Sequence, residues 1–143
     1  MIDLPSGQRA IETTLRVRYA ETDAMGVVHH ASYIIWLEQG RTELLRAYGT
    51  SYQAIEASGF FVVLTELQAR YHVAAHYDDL VVVRTTLAGL RSRGISFAYE
   101  LRLAEGGAPL LTARSEHIVV ARATGRPTRL PADLLAALRT NPA

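Results

Sequence analysis

A single long stretch of helical periodicity constrains this chain more than any other feature. Ile34, Leu37, Arg41, Leu44, Leu45 and Tyr48 recur at steps of three and four residues, the spacing of one helix face. Ser32 is suited to the N-cap of that helix and Gly49 to the residue just past its end. A shorter helix is expected over Ser51–Ser58, closed by Gly59. Four β-rich runs follow, Phe60–His72, Leu80–Leu90, Ile95–Ala104 and Pro109–Arg122, and Glu12–Tyr19 alternates as a half-buried strand with Leu15, Val17 and Tyr19 on one face. Tight connections at Ser92-Arg93-Gly94 and Glu105-Gly106-Gly107-Ala108 suit antiparallel hairpins. One helix and five strands that all need a covered face predict an α+β fold, a five-stranded antiparallel sheet wrapped around one long helix. Gly40 inside that helix costs roughly 0.5–1 kcal/mol relative to alanine. Close approach of the helix to the sheet and simple tolerance of a weak position both account for it. Pro131-Ala132-Asp133 opens a last short helix with Leu134, Leu135 and Leu138 apolar, a lid on the core or an oligomer contact.

Composition narrows the function classes. At 143 residues, with no linker, repeat or low-complexity tract, residues 1–143 read as one domain. The formal charge of +1 gives no broad basic field, so nucleic acid is not an expected partner. There is no cysteine, which excludes disulfides, a thiol nucleophile and zinc–thiolate sites. Apolar runs such as Phe60–Leu64 are far too short for a membrane span. Met1–Ala10 carries Asp3, Pro5 and Gln8 where a secretion signal needs an apolar stretch. The chain reads as cytoplasmic, with its chemistry in carboxylates, His, Tyr, Ser and backbone groups.

Those groups concentrate in VRYAETDAMGVVHHASYIIWLEQGR, Val17–Arg41. A strand runs into an ordered loop, Ala20–His30, with an acid and two histidines, then straight into a helix start. Unpaired N–H groups and the positive end of the helix dipole can stabilise an electron-rich carbonyl oxygen there. Asp23 could face the same carbonyl, activating water as a general base or attacking to form a transient anhydride. Both routes suit an acyl group with a good leaving group, such as a thiolate.

Tyr19, Asp23 four residues on and His30 seven beyond that, together with Gly26, Tyr33, Glu38 and Arg41, resemble the hot-dog fold acyl-CoA thioesterases. The likeness is to the 4-hydroxybenzoyl-CoA thioesterase type and its Tol-Pal-associated branch. A weaker likeness runs through RYHVAAHYDD, Arg70–Asp79, and covers roughly Thr13–Arg122. The resemblance implies a hot-dog fold and hydrolysis of an acyl-CoA to the free acid and coenzyme A, without metal or bound cofactor. It assigns the nucleophile or base to Asp23 and the carbonyl donor to the main chain at His30. The His30 side chain and Tyr19 would orient carboxylate and substrate.

Other residues carry weaker readings. The resemblance puts Glu38 near the pocket, although an acid on a helix is ordinarily solvated. His29 reads as a partly exposed loop residue or a supporting group, and no acid–His set around the pair has convincing zinc spacing. His72 and His76 read as structural or surface groups, and His117 as packed within a strand. The resemblance also implies a homo-oligomer, dimer or tetramer, whose second subunit would supply the acyl pocket through Val62, Val63, Leu64 and Thr65. Arg91 and Arg93 beside Gly94 could meet coenzyme A phosphates or form a solvated turn. Two rival functions are a thioesterase acting on acyl-carrier-protein-bound acyl groups and a non-catalytic acyl-thioester-binding or scaffold module.

Overall fold

The computed structural model describes residues 2, 4 and 10–140; most of the Met1–Ala10 stretch read above for targeting lies outside them. Strand β1 covers Ile11–Arg16, helix α1 His30–Ala47, helix α2 Tyr52–Ala57, strand β2 Phe60–Tyr71, strand β3 Leu80–Arg91, strand β4 Gly94–Leu103, strand β5 Pro109–Ala121 and helix α3 Ala132–Leu138. The five strands form one sheet in the order β1-β3-β4-β5-β2, and every pairing is antiparallel. This order explains where the helix sits. β1 and β2 are the two edges, so the chain between them must cross a face of the sheet, and α1 makes most of that crossing. β3, β4 and β5 then fill the gap as two hairpins. Among the described residues no helix is long and apolar enough to cross a membrane.

α1 buries Tyr33, Trp36, Leu37, Gly40, Arg41, Leu44 and Leu45, a stripe at three- and four-residue steps. These pack with Val81, Val83, Leu87, Phe97, Tyr99, Leu101, Leu111 and Val119 of the sheet. Gly40 marks the closest approach. A Cβ there would lie 2.8 Å from Val83 Cγ1 and nearer still to Thr85 Oγ1. The close-approach reading of this glycine therefore holds. Gly49 ends the helix at φ +84°, a left-handed turn glycine adopts without steric cost. Ser51 caps α2 by accepting from Ala54 N, and in α3 Leu134 and Leu138 are buried as a lid on the core.

Two local expectations are corrected. β1 stops at Arg16, short of Tyr19, because the Glu21 carboxylate accepts the Arg18 N–H at 2.8 Å and pulls Tyr19–Glu21 into a 3-10 turn. Tyr19 is therefore 77% exposed instead of facing inward beside Val17. The N-cap of α1 is His29, whose Nδ1 accepts from Ala31 N at 3.1 Å. Ser32 is the third residue of the helix, buried, its Oγ donating to the Glu21 carbonyl.

Candidate active site

The loop before α1 is a small hairpin anchored at both ends. Asp23 N donates to Val27 O and Gly26 N to Asp23 O, with Gly26 at φ +81° closing the turn. Thr22 bridges Val28, and Val27 bridges His76. Val28 N donates to Ala75 O at 2.9 Å, and His29 N to Glu21 O at 2.8 Å. The segment carrying Asp23 is thus held by backbone bonds to the chain before it and to the segment that precedes β3.

Glu21 organises this end of the molecule. Its carboxylate accepts from the Arg18 N–H and from Trp36 Nε1 at 2.7 Å, and its carbonyl accepts from His29 N and Ser32 Oγ. Burial alone would raise its pKa, but the Arg18 N–H, the Trp36 indole and the Arg18 guanidinium outweigh it and hold the carboxyl below its ordinary value. This residue was missed at the level of sequence. The signal was the Arg18-x-x-Glu21 spacing, which is that of a capping box.

The sequence-predicted residues fall into separate groups. Asp23 is half-buried; its Oδ1 accepts from Met25 N at 2.9 Å, and no hydrogen bond among the described residues occupies Oδ2. His30 is the first residue of α1, a position whose N–H has no acceptor within the helix. Its ring stacks on His29 with centroids 4.3 Å apart, and its carbonyl accepts from Tyr71 Oη at 2.9 Å. Tyr71 also meets the Tyr33 ring edge-on, and Tyr33 Oη accepts from Ala75 N. Burial raises the pKa of both phenols, so they remain neutral donors near neutral pH. Tyr19 lies outside, edge-on to Tyr77 at 5.6 Å. No hydrogen bond links Tyr19, Asp23 and His30 to one another among the described residues.

Glu38 sits eight residues further along α1, roughly 12 Å on at 1.5 Å per residue. It lines a cleft of about 580 Å3 with Arg41, Tyr52, Val62, Leu64 and His117; Asp23 does not line it. Val62 points to the helix side, whereas Val63 is exposed on the other face as strand alternation requires. Thr65 sits where the β2–β5 register shifts, its hydroxyl donating to Glu116 O. Arg91 and Arg93 flank the β3–β4 turn and are exposed, at the far end of β3 from the hairpin holding Asp23. A 12-residue strand puts roughly 35 Å of path between the two ends. Within one chain, these arginines and Asp23 belong to different regions.

A second polar group missed by sequence reasoning lies beneath the cleft. Arg41, on the apolar stripe of α1, donates through Nε to Tyr52 Oη and through Nη1 to Tyr99 Oη. Tyr99 Oη meets Ser115 Oγ at 2.5 Å, and Ser115 Oγ meets His117 Nε2 at 2.8 Å. His117 is buried, as expected of a packed strand residue. Burial first, then the Arg41 charge, lower its pKa to about 4. A charged residue at a core position of the helical stripe was the only linear signal of this network.

The chemistry available near the helix start is a carboxylate with an oxygen to spare, a free backbone donor and neutral phenols. The thioesterase-like superfamily profile matches residues 17–138. The acyl-CoA thioesterase YbgC of Haemophilus influenzae is 36% identical over 125 residues, covering 86% of this chain and 90% of that protein. The acyl-CoA thioester hydrolase YbgC of Escherichia coli is 36% identical over 91 residues, covering 64% and 68%. A crystal structure of a DHNA-CoA thioesterase from Staphylococcus aureus superposes with a TM-score of 0.85 at 30% identity, over 90% of this chain and 87% of that one. With the profile spanning most of the chain and the β1-β3-β4-β5-β2 sheet wrapped around α1, the protein belongs to the thioesterase-like superfamily, hot-dog fold thioester hydrolases.

Proposed function

We propose that the protein is an acyl-CoA thioesterase of the 4-hydroxybenzoyl-CoA type, with Asp23 as general base or nucleophile. The observation that carries this reading is the Asp23 hairpin, tied by the His29 N–H to Glu21 O bond to the start of α1. The thioester carbonyl would accept from the His30 N–H, where the helix dipole also favours developing negative charge. In one route Asp23 takes a proton from water, the hydroxyl adds to the carbonyl carbon, and the C–S bond breaks to release coenzyme A thiolate. In the other, Asp23 adds directly, the thiolate leaves, and water opens the mixed anhydride. Neither route requires a metal or bound cofactor. His29, His30 and Tyr19 would orient the substrate.

The working unit in this reading is a dimer or tetramer in the cytoplasm. Two features support it. The edge strand β2 exposes Phe61, Val63, Leu64 and Tyr71 beside an unpaired ladder, a surface that a second copy can cover. The separation of Arg91 and Arg93 from Asp23 within one chain requires a second subunit if these guanidinium groups are to bind the coenzyme A phosphates. Glu38 would assist near an acyl pocket walled by Val62, and Val63 and Thr65 would meet the second copy. The test is thiol release from short-chain, long-chain and aromatic acyl-CoAs, alongside acyl-carrier-protein substrates. Turnover of at least one acyl-CoA well above the uncatalysed rate is expected; release from carrier-bound substrates alone would overturn the assignment.

A further inference from the structure

Among the described residues Arg41 is a buried cation without a counter-ion. It is only 9% exposed, and among the described residues no carboxylate forms an ion pair with it. Its two hydrogen bonds go to tyrosine hydroxyls, which accept but carry no charge. Burial raises the pKa of Tyr52 and Tyr99 despite the Arg41 charge, so neither is a phenolate near neutral pH.

The network continues beneath the helix into the sheet. Tyr99 Oη accepts from Arg41 and is hydrogen-bonded to Ser115 Oγ, which is in turn hydrogen-bonded to His117 Nε2. None of these groups carries a negative charge near neutral pH, so none of them neutralises the guanidinium. A guanidinium has five N–H bonds, and two are used here. The remainder, including both on Nη2, have no protein acceptor among the described residues, and Arg41 lines the cleft of about 580 Å3.

We propose that this cleft is a binding site for a carboxylate carried on an apolar body. The remaining guanidinium N–H bonds offer the paired donors that match a carboxylate, and Val62 and Leu64 supply apolar wall. A monoanion fits better than a phosphate dianion, because Glu38 and Glu56 also line the cleft and both are exposed. Arg46, the other cation of the lining, is already paired with Glu43. The carboxylate has two chemical sources, the far end of an acyl group and a free acid. The first rests on the thioesterase reading; the site itself does not.

The experiment follows the Arg41 Nε–H resonance by NMR in the intact protein, titrated with benzoate and with its neutral isostere benzamide. Benzoate is expected to shift the signal saturably and to bind at least about tenfold more tightly than benzamide, the difference a charge-assisted pair supplies. Arg41→Met should abolish benzoate binding, read by equilibrium dialysis. Should that variant fail to fold, the benzoate and benzamide comparison still decides. No saturable shift, equal binding of the two ligands, or benzoate binding that survives Arg41→Met overturns the proposal. So does binding that appears only in Glu38→Gln, since Glu38 would then be the counter-ion. Sources are separated by KM values for adipoyl-CoA and hexanoyl-CoA. A KM for adipoyl-CoA at least about tenfold lower identifies the acyl end; equal values with benzoate bound identify a free acid. Absence of any thioester turnover refutes the thioesterase reading and leaves the benzoate result standing.

Discussion

Replacing Gly40 by alanine tests how tightly α1 is seated on the sheet. In an isolated helix the change is favourable by roughly 0.5–1 kcal/mol. Here the new Cβ would lie 2.8 Å from Val83 Cγ1 and nearer still to Thr85 Oγ1, whereas ordinary contact between carbon atoms begins at about 3.5 Å. Neither neighbour can swing aside. Both are β-branched side chains, stiff at χ1, and fully buried. The helix must lift or the strand must bend, at a typical overpacking cost of about 1–3 kcal/mol. Net of the helix gain, Gly40→Ala should destabilise by roughly 1–2 kcal/mol. Thr85→Ala provides the relief: Thr85 Oγ1 is buried without a hydrogen-bond partner, so its loss sacrifices no bond and opens the nearest obstruction. The double variant should recover about 1 kcal/mol of coupling. The assay is urea unfolding at fixed protein concentration, followed by the fluorescence of Trp36, the single tryptophan. A Gly40→Ala variant as stable as wild type, or coupling below about 0.5 kcal/mol, would refute the close-contact argument.

Glu21→Gln leaves one acceptor where two N–H donors, from Arg18 and Trp36, converge; a loss of about 2–3 kcal/mol in urea unfolding is expected, and a loss under about 0.5 kcal/mol would show that Glu21 does not hold the helix start. His117, lowered to about 4 from an ordinary 6.5, stays neutral in the fold while the unfolded chain takes up a proton. Stability should therefore be full above about pH 6.5 and fall as pH drops toward 4, by roughly 3 kcal/mol in total. His117→Gln should flatten that part of the pH profile, and an unchanged profile would contradict the assignment. Arg91→Ala and Arg93→Ala should raise KM for acyl-CoA more than they lower kcat; unchanged KM in both removes the β3–β4 turn from the binding site.

The fold was legible because its periodicities are long and agree with each other. The stripe from Tyr33 to Leu45 and the β-rich runs of β3 to β5 each extend over ten or more residues, and β2 to β5 lie within a residue of the sequence reading at each end. Errors fell where one side chain overrides local pattern. The Glu21 carboxylate captures the Arg18 N–H and ends β1 early, and the His29 ring takes the cap that Ser32 was expected to make. The candidate site was legible only as a linear segment. That Asp23 and His30 share one anchored loop end follows from chain adjacency, but the grouping of Glu38 with Val62, apart from Asp23, depends on how α1 crosses the sheet. The Arg41 network joins α1, α2, β4 and β5, and no local spacing encodes a contact 58 residues apart such as Arg41 to Tyr99.

The central claim is that the Asp23 carboxylate carries the chemistry, and the most direct measurement is steady-state kinetics of Asp23→Asn with one good acyl-CoA substrate. The variant keeps the shape and the Oδ1 acceptor used by Met25 N but loses the charge and the capacity to accept a proton or attack. The kcat should fall by roughly 10²–10⁴ with KM little changed, while the His30 N–H preserves residual turnover above the uncatalysed rate. A folded Asp23→Asn protein, by circular dichroism, that retains more than about a tenth of the wild-type kcat would contradict the assignment and leave Glu38 as the carboxylate to test.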